Sequence, residues 1–443
     1  MNWNETKPGI WIKPFDGAER AFYNMSQAFI DVGKEHGSTH AVCTVRFGPS
    51  IPDPPTALRQ AWQALRFECP TLSLVTDGPT KIYQQPDGMA AIEEWTDETM
   101  MVEERHKPDQ VIERLHLQQL PCLYYFPRSS EVLFHSSHWR IDGIGTCMLL
   151  DRLFYLAAHP VDLSCLDWRR EMYHLSPPME DAANSPVQVD AEMDEFARNL
   201  VDKNHRHSTT GMPYKGNLST PPGSSQGQKI VLTKDVTDAL VAACRMSNIS
   251  VTAAIHAALA DAVFALSPGQ SKDYTSIVAV NMRPHLPSPY NIQGQHPCAV
   301  YLTGINPTVQ RDSTFTARTT SLTKGYRNWY SDLYLRSLRP FYQYHGEALS
   351  IRAMEARDSP PSNVTVSSLG VVDRYLSGDY GDAVQVVGFH FGCSILTRQM
   401  TLYPWTFRGE LHLAVNYNEA YHDISAKDLL FRIKDVLEKE LGL

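Results

Sequence analysis

The chain has 443 residues, 43% of them hydrophobic and 20% charged, with a formal net charge of −9 at pH 7 and an isoelectric point near 6.0. That length supports two or three domains, each able to bury a substantial core, and the negative balance argues against a surface built for nucleic acid or an anionic membrane. No stretch approaches the apolar length of a membrane span, and the start Met1-Asn2-Trp3-Asn4-Glu5 lacks the basic segment and apolar run of a secretory leader. The eight cysteines are scattered with no C-x-x-C pair, so they read as reduced thiols and not as disulfides or a zinc site. The expectation is a cytoplasmic monomer without a metal.

Taken in chain order, the alternation over 39–47 reads as a strand. After Pro52-Asp53-Pro54-Pro55, the spacing of Leu58, Ala61, Trp62 and Leu65 predicts a helix over 57–67 with Thr56 as its N-cap. Residues 131–134 form a short apolar run of strand type. Past Gly143, Ile144, Cys147, Met148, Leu149, Leu150, Leu153 and Phe154 predict a helix that is apolar on most sides and therefore buried. From about 176 to 228 Pro, Gly, Ser and Asn become frequent around one possible helix at 191–201, which reads as a connection. A second half follows: a strand at 229–232, helices at 234–246 and 252–266 (the latter capped by Ser250), strands at 275–280, 299–303, 363–366, 394–403 and 410–417, and a closing amphipathic helix. Interleaved strands and helices in both halves indicate an α/β chain with mixed sheets. The resulting division is 1–180, a connection over 181–228, and 229–443.

Between the strand at 131–134 and the buried helix lies Ser137-His138-Trp139-Arg140-Ile141-Asp142-Gly143. Of the 17 histidines, His138 alone has an aspartate at the fourth following position. A neutral imidazole takes a proton from a hydroxyl efficiently near pH 7, because its ordinary pKa lies close to that pH. An unpaired carboxylate next to it would draw in water, so Asp142 reads as turned away and holding the loop. Gly143 permits a tight turn or the close passage of a ligand. The same spacing also fits a core histidine beside a structural Asp-Gly turn. His135, three residues earlier on a strand, would face the other way and receives no catalytic role; Trp139 and Arg140 read as packing or solvated side chains. No Gly-rich phosphate loop, nucleophilic serine elbow or metal-ligand cluster is present in the sequence.

His138-Trp139-Arg140-Ile141-Asp142-Gly143 matches the H-x-x-x-D-G motif of the CoA-dependent acyltransferase superfamily, which includes BAHD acyltransferases, peptide-synthetase condensation domains and fungal trichothecene O-acetyltransferases. Residues 58–66, 251–260 and Val280-Asn281-Met282-Arg283-Pro284 are weaker matches in the family's order. The chain most resembles the fungal 15-O-acetyltransferase group. That resemblance implies an α/β fold of two chloramphenicol-acetyltransferase-like lobes, mixed sheets flanked by helices, and an active-site tunnel between the lobes. It implies transfer of an acyl group, expected to be acetyl, from acetyl-CoA or another acyl-CoA to a hydroxyl of a small secondary-metabolite acceptor. His138 would be the general base, Asp142 a structural residue paired with Arg283, and Gly143 clearance for the tunnel. Ser367 and Ser368 resemble a family segment close to the active site, where a hydroxyl would donate to the oxyanion, or they are a plain Ser-rich strand end. His390, in what reads as an aromatic Gly-flanked loop, is a tunnel-lining candidate.

Two departures stand beside the match. Condensation domains usually carry two adjacent histidines, and Ser137 holds the first position here; the Asp-Phe-Gly-Trp-Gly motif of BAHD enzymes has only Gly388-Phe389-His390-Phe391-Gly392 as a counterpart. The alternatives are a stand-alone condensation-type enzyme fed by a carrier-protein thioester, and a non-catalytic binding protein that retains the fold.

Overall fold

A computed structural model of the chain describes residues 3–205, 209–268, 271–355, 360–423 and 425–443. Two compact units emerge. The first comprises Met1–Ala183, Arg283–Tyr301 and Asp373–Cys393; the second comprises Asn184–Met282, Leu302–Val372 and Ser394–Leu443. The boundaries expected from composition are therefore incomplete, because two segments of the second half complete the first unit. The expected connection is also largely built structure, with a helix at Ala191–His205 and a strand beginning at Ser225.

The main sheet of the first unit has the order Asp379–Tyr380, Val384–Cys393, Thr39–Phe47, Glu131–Ser136, Cys122–Phe126, Met100–Val102. Its pairs are antiparallel except the last, which makes the sheet mixed. On one face Phe134, paired with Ala41, meets Trp62 of the Pro54–Glu68 helix edge to face at 6.2 Å. That helix packs in turn on the Gly143–Ala158 helix, which is buried along most of its length. The N-cap of Pro54–Glu68 is Asp53, not Thr56: the Asp53 carboxylate accepts from the Thr56 N–H at 3.3 Å. Pro54 and Pro55 then fill the first turn, where a missing N–H costs nothing.

The ten-residue strand Val384–Cys393 contains the segment that reads as a Gly-flanked loop in the sequence. It pairs with Thr39–Phe47 with a register shift between Val386 and Gly388. At the shift a Cβ on Gly388 would lie 2.9 Å from Thr44 Oγ1. This glycine therefore serves the close approach of two strands rather than a turn. A separate antiparallel sheet joins Asn4–Lys7, Ile10–Pro14, Thr80–Gln84 and Val75–Asp77.

In the second unit the sheet order is Leu302–Ile305, Val278–Asn281, Val364–Val366, Met400–Phe407, Glu410–Asn418, Ser225–Leu232. Val364–Val366 is parallel to both of its neighbours, and the remaining pairs on this path are antiparallel. The expected strand at 275–280 is two strands in different sheets, Asp273–Thr275 and Val278–Asn281. Of 299–303 and 394–403 only the ends are strand, in Leu302–Ile305 and Met400–Phe407. The Val251–Leu266 helix is capped by Ser250 Oγ, which accepts from the Ala253 N–H at 3.1 Å. Its alanines allow the Ser425–Leu441 and Phe315–Arg327 helices to approach closely. Among the described residues no single helix is long and apolar enough to cross a membrane; the pair Lys234–Met246 and Val251–Leu266 passes that test only jointly, across a bend of 99°.

Candidate active site

The site grows from the loop between the Glu131–Ser136 strand and the Gly143–Ala158 helix. Asp142 is the N-cap of that helix, and its Oδ1 accepts from the Gly145 N–H at 2.7 Å. The same carboxylate takes Arg283 Nη1 at 2.9 Å on Oδ1 and 2.8 Å on Oδ2, and the Tyr301 N–H at 2.8 Å on Oδ2. One guanidinium nitrogen thus straddles both carboxylate oxygens. The Asp142 N–H donates to the Ala299 carbonyl at 3.2 Å. Asp142 is 2% exposed and Arg283 5%, so a buried charge is met by an opposite charge and two backbone donors, the condition under which a buried ion is tolerated.

Two residues upstream of Asp142, Arg140 is also buried. Its Nη2 donates to the carbonyls of Leu74 at 2.7 Å and Gln119 at 2.9 Å, and its guanidinium lies 4.2 Å from the centre of the Trp139 ring. Burial lowers the Arg140 pKa to about 10. His138, two residues before Arg140, is partly exposed and stacks on Phe22 with ring centres 4.2 Å apart and planes 18° from parallel. Burial lowers the imidazole pKa below the ordinary value, partly offset by its own backbone carbonyl and by the Asp142 carboxylate. The ring is therefore neutral at pH 7, the form that accepts a proton.

Next to His138, Ser137 Oγ donates to Glu35 Oε2 at 3.0 Å. Burial pushes the Glu35 carboxyl up to about 7, with the Ser137 hydroxyl and the Arg140 charge opposing.

His138, Asp142, Gly143 and Arg283 all lie in the first unit. Gly143 is the first residue of the helix. At the start of this helix Gly145 has no room for a Cβ: an added one would sit 2.2 Å from the Pro297 carbonyl oxygen and 3.1 Å from Arg283 Nη2. We expect Gly145→Ala to lose about 1–3 kcal/mol of stability through overpacking, exceeding the gain of about 1 kcal/mol that alanine brings to a helix interior; thermal denaturation of the variant measures it. Ser367 and Ser368 belong to the second unit, in the connection after Val364–Val366, where the Ser367 N–H donates to the Leu402 carbonyl at 2.9 Å.

His390 is on the Val384–Cys393 strand and not in a loop, with its ring centre 6.3 Å from that of His40. His40 is in turn the cross-strand partner of His135. Burial lowers the pKa of both His40 and His135. Among the described residues no group of three or more His, Cys, Asp or Glu side chains is arranged to hold a metal ion.

Sequence reasoning missed Phe22, Glu35, Gly145 and Tyr301. Gly145 was readable as a second glycine two residues after Gly143. Tyr301 acts through its backbone, which leaves no side-chain signal, and Phe22 and Glu35 come from a segment with no motif.

No family model matches the chain. Over 449 residues it is 44% identical to the O-acetyltransferase pigM of Monascus ruber, covering 100% of this chain and 88% of that protein. It is 38% identical over 442 residues to the azaphilone biosynthesis cluster protein M of Aspergillus terreus, covering 98% and 97%. A solved trichothecene 15-O-acetyltransferase from Fusarium sporotrichioides shares the fold, with a TM-score of 0.83 over 98% of this chain and 97% of that one, at 16% identity. The 44% identity over the whole chain to the first of these relatives, together with an α/β fold of mixed sheets flanked by helices, places the chain among the fungal O-acetyltransferases, the family to which it belongs.

Proposed function

We propose that this O-acetyltransferase carries acetyl from acetyl-CoA to a hydroxyl of a small secondary-metabolite alcohol, with His138 as the general base. The likeness to a protein of azaphilone biosynthesis supports an acceptor made in such a pathway. The observation that carries the assignment is His138 itself: a neutral, partly exposed imidazole just upstream of two anchored residues, Arg140 and Asp142.

In the reaction His138 takes the acceptor's hydroxyl proton as the oxygen attacks the thioester carbonyl. A tetrahedral oxyanion forms, the C–S bond breaks as it collapses, and the leaving thiolate recovers the proton from His138. A hydroxyl of Ser367 or Ser368 is the proposed donor to the oxyanion. Asp142, paired with Arg283, holds the loop; Gly143 supplies clearance for the substrates, and His390 is proposed to line their path.

Acetyl-CoA incubated with a panel of hydroxylated azaphilone intermediates, followed by mass spectrometry, tests this reading. Acetylated product from the wild type and none from His138→Ala supports it; product formed only when an acetylated carrier protein replaces acetyl-CoA overturns the donor.

A pH profile gives a second check. The active form of the base is neutral, so lowering the pH protonates it and the rate falls. Because the pKa is depressed, the acid limb of kcat/KM lies below the ordinary histidine value of 6.5. The limb persists in Glu35→Gln, which removes the neighbouring titrating carboxyl. A limb at or above 6.5 in both proteins contradicts the assignment.

A further inference from the structure

Three consecutive loop residues are each touched by a side chain of one short N-terminal segment. Phe15 meets Trp139 edge to face at 5.0 Å and 76°, Phe22 stacks on His138 at 4.2 Å and 18°, and Glu35 accepts from Ser137 at 3.0 Å. The helix Gly17–Ser26 that carries Phe22 is itself held from outside the loop. The Ala18 N–H donates to the buried Glu180 carboxylate at 2.9 Å, Lys81 pairs with Glu19, and Phe15 stacks on Tyr23 at 4.5 Å. The Arg20 guanidinium closes on the Phe15 carbonyl at 2.8 Å. The segment is thus a rigid strap laid along residues 137–139.

A histidine base acts through a lone pair in the plane of its ring, so the direction of proton transfer is set by the ring's rotation. Catalytic imidazoles usually have this rotation set by a hydrogen bond from the other ring nitrogen to a carboxylate or carbonyl. Here Nδ1 of His138 is buried and, among the described residues, no other residue supplies it with a hydrogen-bond partner, while Asp142 is committed to Arg283, Gly145 and Tyr301. Beyond the ring's own backbone carbonyl, the face of Phe22 restrains its rotation.

We propose that Phe22 is a positioning residue for His138, setting the plane of the imidazole by stacking, and that Glu35 supports it by fixing Ser137. This rests on the reading of His138 as the base. A flat face at this position restrains rotation in a way that a branched aliphatic of similar bulk does not.

The test uses the full chain with acetyl-CoA and the acceptor that the wild type acetylates fastest. Phe22→Leu is expected to lower kcat by about 10- to 100-fold, the scale of misplacing a reacting group by about 1 Å, with KM for both substrates unchanged. Phe22→Tyr restores most of kcat. Ser137→Ala, which removes the Glu35 bond without touching the strap, lowers kcat in the same direction and keeps the proposal testable should Phe22→Leu fold poorly.

Proton NMR of the free protein supplies a readout independent of turnover. The His138 ring protons, identified by their loss in His138→Ala, are shifted upfield by the Phe22 ring current in the wild type and return toward ordinary values in Phe22→Leu. Wild-type kcat in both Phe22→Leu and Ser137→Ala, while His138→Ala is inactive, overturns the positioning role. Full activity in His138→Ala overturns instead the base assignment on which it rests.

Discussion

Replacing His138 by alanine is expected to lower kcat/KM for acetyl transfer by about 10² to 10⁴, equivalent to roughly 3–6 kcal/mol of transition-state stabilisation. The magnitude follows from the chemistry. An alcohol is a poor nucleophile until its proton is removed, and His138 is held neutral by burial, so it is the group in the loop ready to receive that proton. The fold should absorb the change. Arg140 and Asp142 anchor the loop through their own partners, and the imidazole is partly exposed, so its loss leaves a small gap beside Phe22 and not a collapsed core. The expected signature is therefore a large fall in kcat with a thermal midpoint close to that of the wild type. Turnover within a few-fold of wild type, measured with any acceptor that the native protein acetylates, would falsify the role given to His138.

The second large effect is on stability. Arg283→Met leaves the Asp142 carboxylate buried with only the N–H groups of Gly145 and Tyr301. Breaking a buried pair from one side costs about 3–5 kcal/mol, because the remaining charge keeps its desolvation penalty and loses its partner. Denaturant unfolding of the variant measures the loss. Adding Asp142→Asn to Arg283→Met removes the orphaned charge and should recover part of it, so the double variant is more stable than Arg283→Met alone. Asp142→Asn by itself turns an amide N–H₂ toward the Arg283 guanidinium and the Tyr301 N–H, and stability and activity fall together. Lost activity in an Asp142→Asn protein of full stability, with His138 unmoved, would contradict a structural role for Asp142.

Much of the fold was legible where local pattern and final environment agree. The helices at Lys234–Met246 and Val251–Leu266 and the strand at Thr39–Phe47 follow directly from apolar periodicity and cap residues. The strand Val384–Cys393 did not, since Gly388 and Gly392 carry a turn signal that the bulge and the close approach to Thr44 override. The site divides in the same way. His138 and Asp142 sit four positions apart and declare themselves, whereas Arg283 lies 141 positions from Asp142 and was reachable only through family resemblance. Phe22 and Glu35 reach the loop from more than 100 positions upstream by stacking and by a single hydrogen bond. No spacing rule covers such contacts. The cap at Asp53 was readable as an aspartate followed by proline at the first helical position, a helix-start signal, and the reading of Thr56 as the cap placed the start three residues late.

The three-segment make-up of the first unit has a consequence for how the protein is made. A ribosome releases the strand Thr39–Phe47 and its neighbour Glu131–Ser136 early, yet the strand that covers the other side of Thr39–Phe47 ends only at Cys393. Roughly 250 residues separate them, or about 12 to 50 s of translation at about 5–20 residues per second. Throughout that interval Thr39–Phe47 presents an open edge of unpaired backbone groups, the kind of template on which chains aggregate. Asp142 likewise emerges well before Arg283 can neutralise it. The nascent N-terminal region thus keeps this edge unpaired until Cys393 has emerged, and a reduced chaperone supply is expected to lower soluble yield in a heterologous host.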